Sequence, residues 1–160
     1  MEKEKNEFTE KIKKFYLTPA GEIMSQDFPS VKRDTPIEEV IKEISRQIED
    51  HLWVVDDNNK PVGIITEKDL LDGIKTPLFG KDIAWDALGI RSLLYRDVKT
   101  AEDMMTPRLF KCKSDTDLKS MVKLMVDTKI RHLPVVKGGV IIGEITIDRI
   151  IKLVDKEFFG

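Results

Sequence analysis

The sequence predicts an α+β protein built from two copies of one β-α-β-β-α unit. Three observations carry this reading. Shifted by 81 positions, Glu22–Val55 lies over Asp103–Val136 without a gap. Each copy holds an amphipathic stretch of helical period, then two short apolar runs separated by turn residues. A second stretch of helical period closes each copy. In the overlay Met24 falls on Met105, Asp34-Thr35 on Asp115-Thr116, His51-Leu52 on His132-Leu133, and Val54-Val55 on Val135-Val136. After a one-residue change in a turn the shift becomes 80, and Gly63-Ile64-Ile65-Thr66 meets Gly143-Glu144-Ile145-Thr146. Each copy has roughly 60 residues, a size at which surface outweighs core, so the copies are expected to share one.

Taken in order, residues 1–19 carry Phe8, Ile12 and Phe15 at helical spacing and predict a helix docked on the pair. The first copy, residues 20–74, has an apolar-polar lead-in ending at Asp34-Thr35-Pro36-Ile37-Glu38. Thr35 suits an N-cap, Pro36 the first helical position and Glu38 the third, a capping box. Ile37, Val40, Ile41, Ile44 and Ile48 then form one apolar stripe. Strands are expected at Leu52–Val55 and Val62–Ile65 around Asp57-Asn58-Asn59-Lys60. A second helix starts at Thr66, with Leu70, Leu71 and Ile74 as its apolar face. The insert, residues 75–100, holds Pro77, Gly80 and a short helix around Trp85, Leu88, Leu93 and Leu94.

The second copy, residues 101–160, repeats the plan. Thr116 is the expected cap, and Leu118, Met121, Val122 and Met125 form the stripe. Strands at Leu133–Val136 and Val140–Ile145 flank Gly138-Gly139. The closing helix starts at Thr146 and buries Ile150, Ile151 and Val154.

Composition narrows the function. The chain has 27 basic and 29 acidic side chains and a formal charge of -2, which offers no electrostatic footprint for nucleic acid or an anionic membrane. No run approaches the ~18 apolar residues of a transmembrane helix, and the charged start Met1-Glu2-Lys3-Glu4-Lys5 does not read as a signal peptide. Cys112 is the only cysteine, which excludes an intrachain disulfide and favours the cytoplasm. Catalysis is not expected: no phosphate-cradling Lys loop, zinc-binding His-Glu-x-x-His pattern or nucleophile elbow is present.

The lead-in Ile23-Met24-Ser25, the strand Leu133-Pro134-Val135-Val136 and the segment Gly63-Ile64-Ile65-Thr66-Glu67-Lys68-Asp69 resemble the CBS domain, named after cystathionine β-synthase. The second lead-in, Asp103-Met104-Met105-Thr106-Pro107, is especially similar. The resemblance covers about residues 20–74 and 101–155. It implies two CBS repeats packed through their sheets about a pseudo-twofold axis, with clefts that bind AMP, ADP or ATP, or S-adenosyl compounds. It further implies a homodimer that regulates a separate, unidentified protein and has no catalytic residues, metal or cofactor of its own. The other outcome is a structural, dimerising module without ligand.

The resemblance places Thr66 and Asp69 at the ribose. Physically, a carboxylate at a helix start can accept both ribose hydroxyls, in charge-assisted bonds of about 1.5–3 kcal/mol each. The same two residues, three apart, also make an N-cap and its acid, and both readings stand. In the second copy the equivalent segment is Gly143-Glu144-Ile145-Thr146-Ile147-Asp148-Arg149. Arg149 takes the place of the acid there, and Asp148 sits about 100° away around the helix. One competent site per chain is expected. The resemblance implies Arg131 and His132, with Arg149, as phosphate partners, against a reading as solvated charges. It implies an adenine pocket of His51, Met105, Thr106, Phe110 and Lys111, of which Met105 and Phe110 also read as core. His51 and His132 occupy equivalent positions but lack the convergent ligands of a metal site, and Cys112 reads as core.

Overall fold

The computed structural model describes residues 1–78, 98–107 and 109–160. Its elements begin with helices α1 (Glu2–Tyr16) and α2 (Ala20–Ile23). The first copy follows as β1 (Ser30–Lys32), α3 (Ile37–Arg46), β2 (His51–Val55), β3 (Pro61–Thr66) and α4 (Glu67–Leu78). After the insert come α5 (Ala101–Met104), β4 (Cys112–Lys113), α6 (Leu118–Thr128), β5 (His132–Lys137), β6 (Val140–Thr146) and α7 (Ile147–Phe158). Both copies therefore show the expected β-α-β-β-α order. The helix expected around Trp85, Leu88, Leu93 and Leu94 lies outside the described residues.

Each copy makes a three-stranded sheet, in the orders β1-β2-β3 and β4-β5-β6. The first pair of strands is parallel and the second antiparallel in both. Even the irregularity is duplicated, with a register shift at Val54/Val55 and another at Val135/Val136. Turn chemistry differs between copies. Gly138 and Gly139 adopt φ of 57° and 81° in one hairpin, while Asn59 at φ 58° serves the other.

The lead-ins are exchanged. One compact unit is contiguous, Phe28–Leu109, and the other is discontinuous, Met1–Asp27 with Phe110–Gly160. Each unit thus takes the sheet of one copy and the short helix of the other. In the contiguous unit, Ile37 N–H donates to the Lys99 carbonyl and Ala101 N–H to that of Thr35. In the discontinuous unit the equivalent bonds run from Leu118 to Thr18 and from Ala20 to Thr116.

This exchange corrects the expected helix starts. α3 has Pro36, not Thr35, at its N-cap and no side-chain cap. Its first N–H is satisfied by the Lys99 carbonyl, so no capping box is needed. α6 is capped by Asp117, whose carboxylate accepts from Ser120 N–H at 2.7 Å. Thr116 instead accepts from Lys113 N–H in the preceding turn.

Among the described residues, the cores follow most of the apolar stripes. Val40, Ile44, Leu52, Val54, Ile65 and Ala101 pack together in the contiguous unit. Ala20, Ile23, Cys112, Leu118, Met121, Met125, Leu133, Val135 and Ile145 do so in the discontinuous one. Ile48 is fully exposed because α3 ends at Arg46, and Leu71 and Ile151 also face out. α1 docks on the discontinuous unit through rings, with Phe158 edge-on to Phe15 at 5.0 Å and to Phe8 at 6.2 Å.

Candidate functional site

In the contiguous unit, β3 delivers Thr66 directly into α4, so the first turn of that helix carries Glu67 and Asp69. Asp69 Oδ2 accepts two bonds, from Thr66 N–H at 2.8 Å and from the Thr66 hydroxyl at 2.9 Å. The capping geometry foreseen for this pair is therefore formed. The same motif recurs at α5, where Asp103 Oδ2 accepts from the N–H groups of Lys99 and Thr100 and from the Thr100 hydroxyl. Those N–H donors hold the Asp103 carboxyl below its ordinary range.

The exchanged lead-in lies along β3. Thr106 N–H donates to the Ile64 carbonyl at 2.8 Å, and Ile64 N–H donates back at 3.2 Å. This uses the main chain of Thr106 on both sides. Met105 crosses Gly63 and packs against the core. A methyl group on Gly63 would stand 2.8 Å from Cβ of Met105, closer than side chains tolerate. His51 opens β2 opposite Thr66, is buried, and stands edge-on to Trp53 at 5.6 Å. Its Nδ1 lies 3.5 Å from an Asp50 carboxylate oxygen. The contiguous unit thus brings together Thr66, Asp69, His51, Met105 and Thr106 of the expected set.

The remaining residues belong to the discontinuous unit. Phe110 is 44% exposed, and Lys111 is exposed beside it. Arg131 is exposed and His132 half-buried at the start of β5. Arg149 is engaged locally. Its Nε donates to the Ile23 carbonyl at 2.7 Å and its Nη2 to that of Met24 at 3.3 Å. A cation here complements the carbonyl end of α2, while Thr146 caps α7 by accepting from Arg149 N–H. Gly143 repeats the role of Gly63, since an added methyl would lie 2.6 Å from Sδ of Met24 and 2.8 Å from the Ser25 carbonyl oxygen. Cys112 sits in the core, and burial pushes its thiol up to about 11.

One residue escaped the sequence reading. Glu144 is buried on β6, at the position of Ile64 in the other copy. The available signal was a carboxylate inside an otherwise apolar strand, Gly143-Glu144-Ile145. Among the described residues, no helix is long and apolar enough to cross a membrane.

The CBS domain family model matches residues 20–76 and 101–156. An uncharacterized protein of Methanopyrus kandleri, MK0525, is 31% identical over 138 residues, 83% of this chain and 61% of that protein. The chloroplastic CBS domain-containing protein CBSX2 of Arabidopsis thaliana is 30% identical over 149 residues, 86% of this chain and 60% of that protein. The chain therefore spans about 60% of the length of these relatives. A crystal structure of CBSX2 in complex with AMP superposes with a TM-score of 0.70 at 27% identity, covering 86% of this chain and 97% of that one. The CBS domain of a membrane protein from Sphaerobacter thermophilus reaches 0.74 at 25% identity, covering 96% and 98%. A duplicated fold, matched in both copies by one family, places the chain among the CBS domain proteins as a tandem CBS pair.

Proposed function

We propose that this chain is a regulatory module that binds an adenine nucleotide, AMP, ADP or ATP, with the ribose held by Thr66 and Asp69. The observation that carries the reading is the use of a single oxygen of Asp69. Both capping bonds end on Oδ2, so Oδ1 is left to accept ribose hydroxyls while the cap stays intact. AMP bound to CBSX2 supports the choice of ligand class. In the second copy the corresponding side chain is Arg149, held by main-chain carbonyls. The proposal therefore counts one ribose site per chain and leaves Arg149 to its structural contact.

His51 and Thr106 are assigned to the adenine side, with Met105 supplying apolar surface. Phe110 and Lys111 complete that assignment, and Arg131 and His132 are assigned to the phosphates. Ligand binding shifts the module between two arrangements that a separate partner reads, with a pair of chains as the working unit. Such a shift requires the ligand to bind one arrangement more tightly than the other. The module works in the cytoplasm and performs no catalysis.

Calorimetry with AMP, ATP and S-adenosylmethionine tests the reading. Asp69→Ala is expected to weaken binding of the preferred ligand by roughly 10- to 100-fold, the loss of charge-assisted bonds. Arg131→Ala is expected to weaken ATP more than adenosine. A lowered melting temperature with unchanged affinity would show that Asp69 only caps α4. No heat from any of the three at millimolar concentration would leave the chain a ligand-free dimerisation module. A response to S-adenosylmethionine alone would make it a sensor of S-adenosyl compounds.

A further inference from the structure

The contiguous unit has a cavity of about 540 Å³ between β1 and α3, a volume within the range of small-ligand sites. β1 lies at the opposite edge of its sheet from β3, the strand that delivers Thr66. Ser30 and Val31 of β1 and Thr35 of the following turn line one side of the cavity. Glu39, Lys42, Glu43 and Arg46 of α3 line the other. Val31 is buried, Glu43 and Thr35 are half-buried, and the remaining four are exposed.

The four charges on α3 stand in two columns. Glu39 and Glu43 are four residues apart, and so are Lys42 and Arg46, so each column holds one sign. About 60° of helix rotation separates the columns. Like charges at this spacing repel and weaken a helix. Other helices of the chain do the reverse, with Lys68 pairing to Asp72 on α4, Lys123 to Asp127 on α6 and Lys152 to Asp148 on α7. Among the described residues, none of the four charges on α3 takes part in an ion pair. Bridges three residues apart, Glu39 to Lys42 and Glu43 to Arg46, would contribute little at a solvated surface. A ligand therefore meets no strong internal bridge that it must break.

We propose that this cavity binds a free α-amino acid as its zwitterion. Glu39 and Glu43 meet the ammonium, Lys42 and Arg46 meet the carboxylate, and the hydroxyls of Ser30 and Thr35 add polar contacts from the β1 side. Columns three residues apart, with about 5–6 Å between Cβ atoms, suit a ligand whose opposite charges lie on neighbouring carbons. A simple anion or cation would leave one column uncompensated. A primary ammonium offers three N–H donors to the carboxylates, and the Arg46 fork can hold a carboxylate through two bonds. A trimethylated nitrogen has no such donor, and no aromatic ring lines the cavity to receive it. Val31 and the stems of Lys42 and Arg46 supply apolar surface for the ligand's side chain. This is a second ligand of the chain, apart from the nucleotide proposed above.

NMR titration of the 15N-labelled full chain with each common L-amino acid, to millimolar concentration, tests this. At least one is expected to give saturable shifts at Ser30, Thr35 and the amides of α3. Its N-acetyl, methyl ester and N-trimethyl derivatives should each bind at least about 10-fold more weakly, having lost one charge or the N–H donors. Glu39→Gln/Glu43→Gln and Lys42→Gln/Arg46→Gln should each raise the dissociation constant by roughly 10- to 100-fold. Both variants should melt no lower than wild type, since each removes a like-charge pair from α3. No saturable shift with any amino acid overturns the proposal. Derivatives that bind as tightly as the free amino acid overturn zwitterion recognition. Binding unchanged in both variants, or an amino acid displaced by AMP, overturns this location.

Discussion

At the position where the first copy carries Asp69, the second carries Arg149, whose guanidinium donates to the Ile23 and Met24 carbonyls. Arg149→Ala strips those acceptors of their donor and is expected to lower stability by about 1–2 kcal/mol, read by urea unfolding. Arg149→Lys cannot span both carbonyls and should recover only part of the loss. The acid-to-Arg exchange was legible in the sequence because it interrupts a repeated pattern. Its partner was not, because Ile23 and Met24 offer main-chain atoms, which any residue type would provide. Gly63 and Gly143 teach the same lesson. Both align in the repeat, as do Met24 and Met105, yet only the structure shows each glycine beneath the methionine of the opposite lead-in. Gly143→Ala is expected to cost about 1–3 kcal/mol. Met24→Ala in the same chain should return part of that cost in a double-mutant cycle. Acid should weaken the fold through Asp103 and Asp117, whose carboxylates accept main-chain N–H bonds that hold both below the ordinary range. A depressed native value means that their contribution is present above the unfolded value of about 3.9. It is lost as the pH falls through the depressed native values. Stability measured from pH 7 downward should therefore hold until about pH 4 and then decline. Asp103→Asn or Asp117→Asn should flatten that decline.

Among the elements, the paired strands and the two long helices of each copy were legible to within a residue or two, because periodicity and turn residues announce them locally, whereas the short helices α2 and α5 were not read. Some errors fell where an element's end is set by a distant segment. The Thr35-Pro36-Ile37-Glu38 run reads as a capping box, but Lys99 occupies the first N–H of α3 and moves the start by one residue. Ile48 continues the stripe on paper, yet Gln47 turns to extended geometry and the helix is over. Leu71 and Ile151 satisfy the helical period and still face out, which period alone cannot distinguish from core. Strand β4 offers a probe of its own unit. Burial pushes the Cys112 thiol up to about 11, so little thiolate exists at pH 8 in the native state. Thiol reagents should label native protein at that pH only as fast as the discontinuous unit opens, and unfolded protein at once. Rapid labelling without unfolding would contradict the placement of Cys112 in that core.

For the whole molecule, the duplication foretold two halves sharing one core; the structure has two core clusters, one in each unit, and each draws residues from both copies. Each unit takes its sheet from one copy and a short helix, with one main-chain bridge to that sheet, from the other, so neither copy is self-sufficient. A fragment of residues 1–78 lacks the bonds from Lys99, Ala101 and Thr106. It is expected to unfold without a cooperative transition, and a mixture with residues 98–160 to regain one by circular dichroism. The discontinuous unit has a further consequence during synthesis. As the chain leaves the ribosome, residues 28–109 are complete while α6 and α7 are still untranslated. Ala20 and Ile23 on α2, with Phe15 on α1, have no surface to cover them until those helices emerge. The nascent chain therefore carries the apolar residues of α2 uncovered until α6 and α7 have been made. The closely interspersed Lys and Glu of α1 stand beside that segment as its solubilising escort.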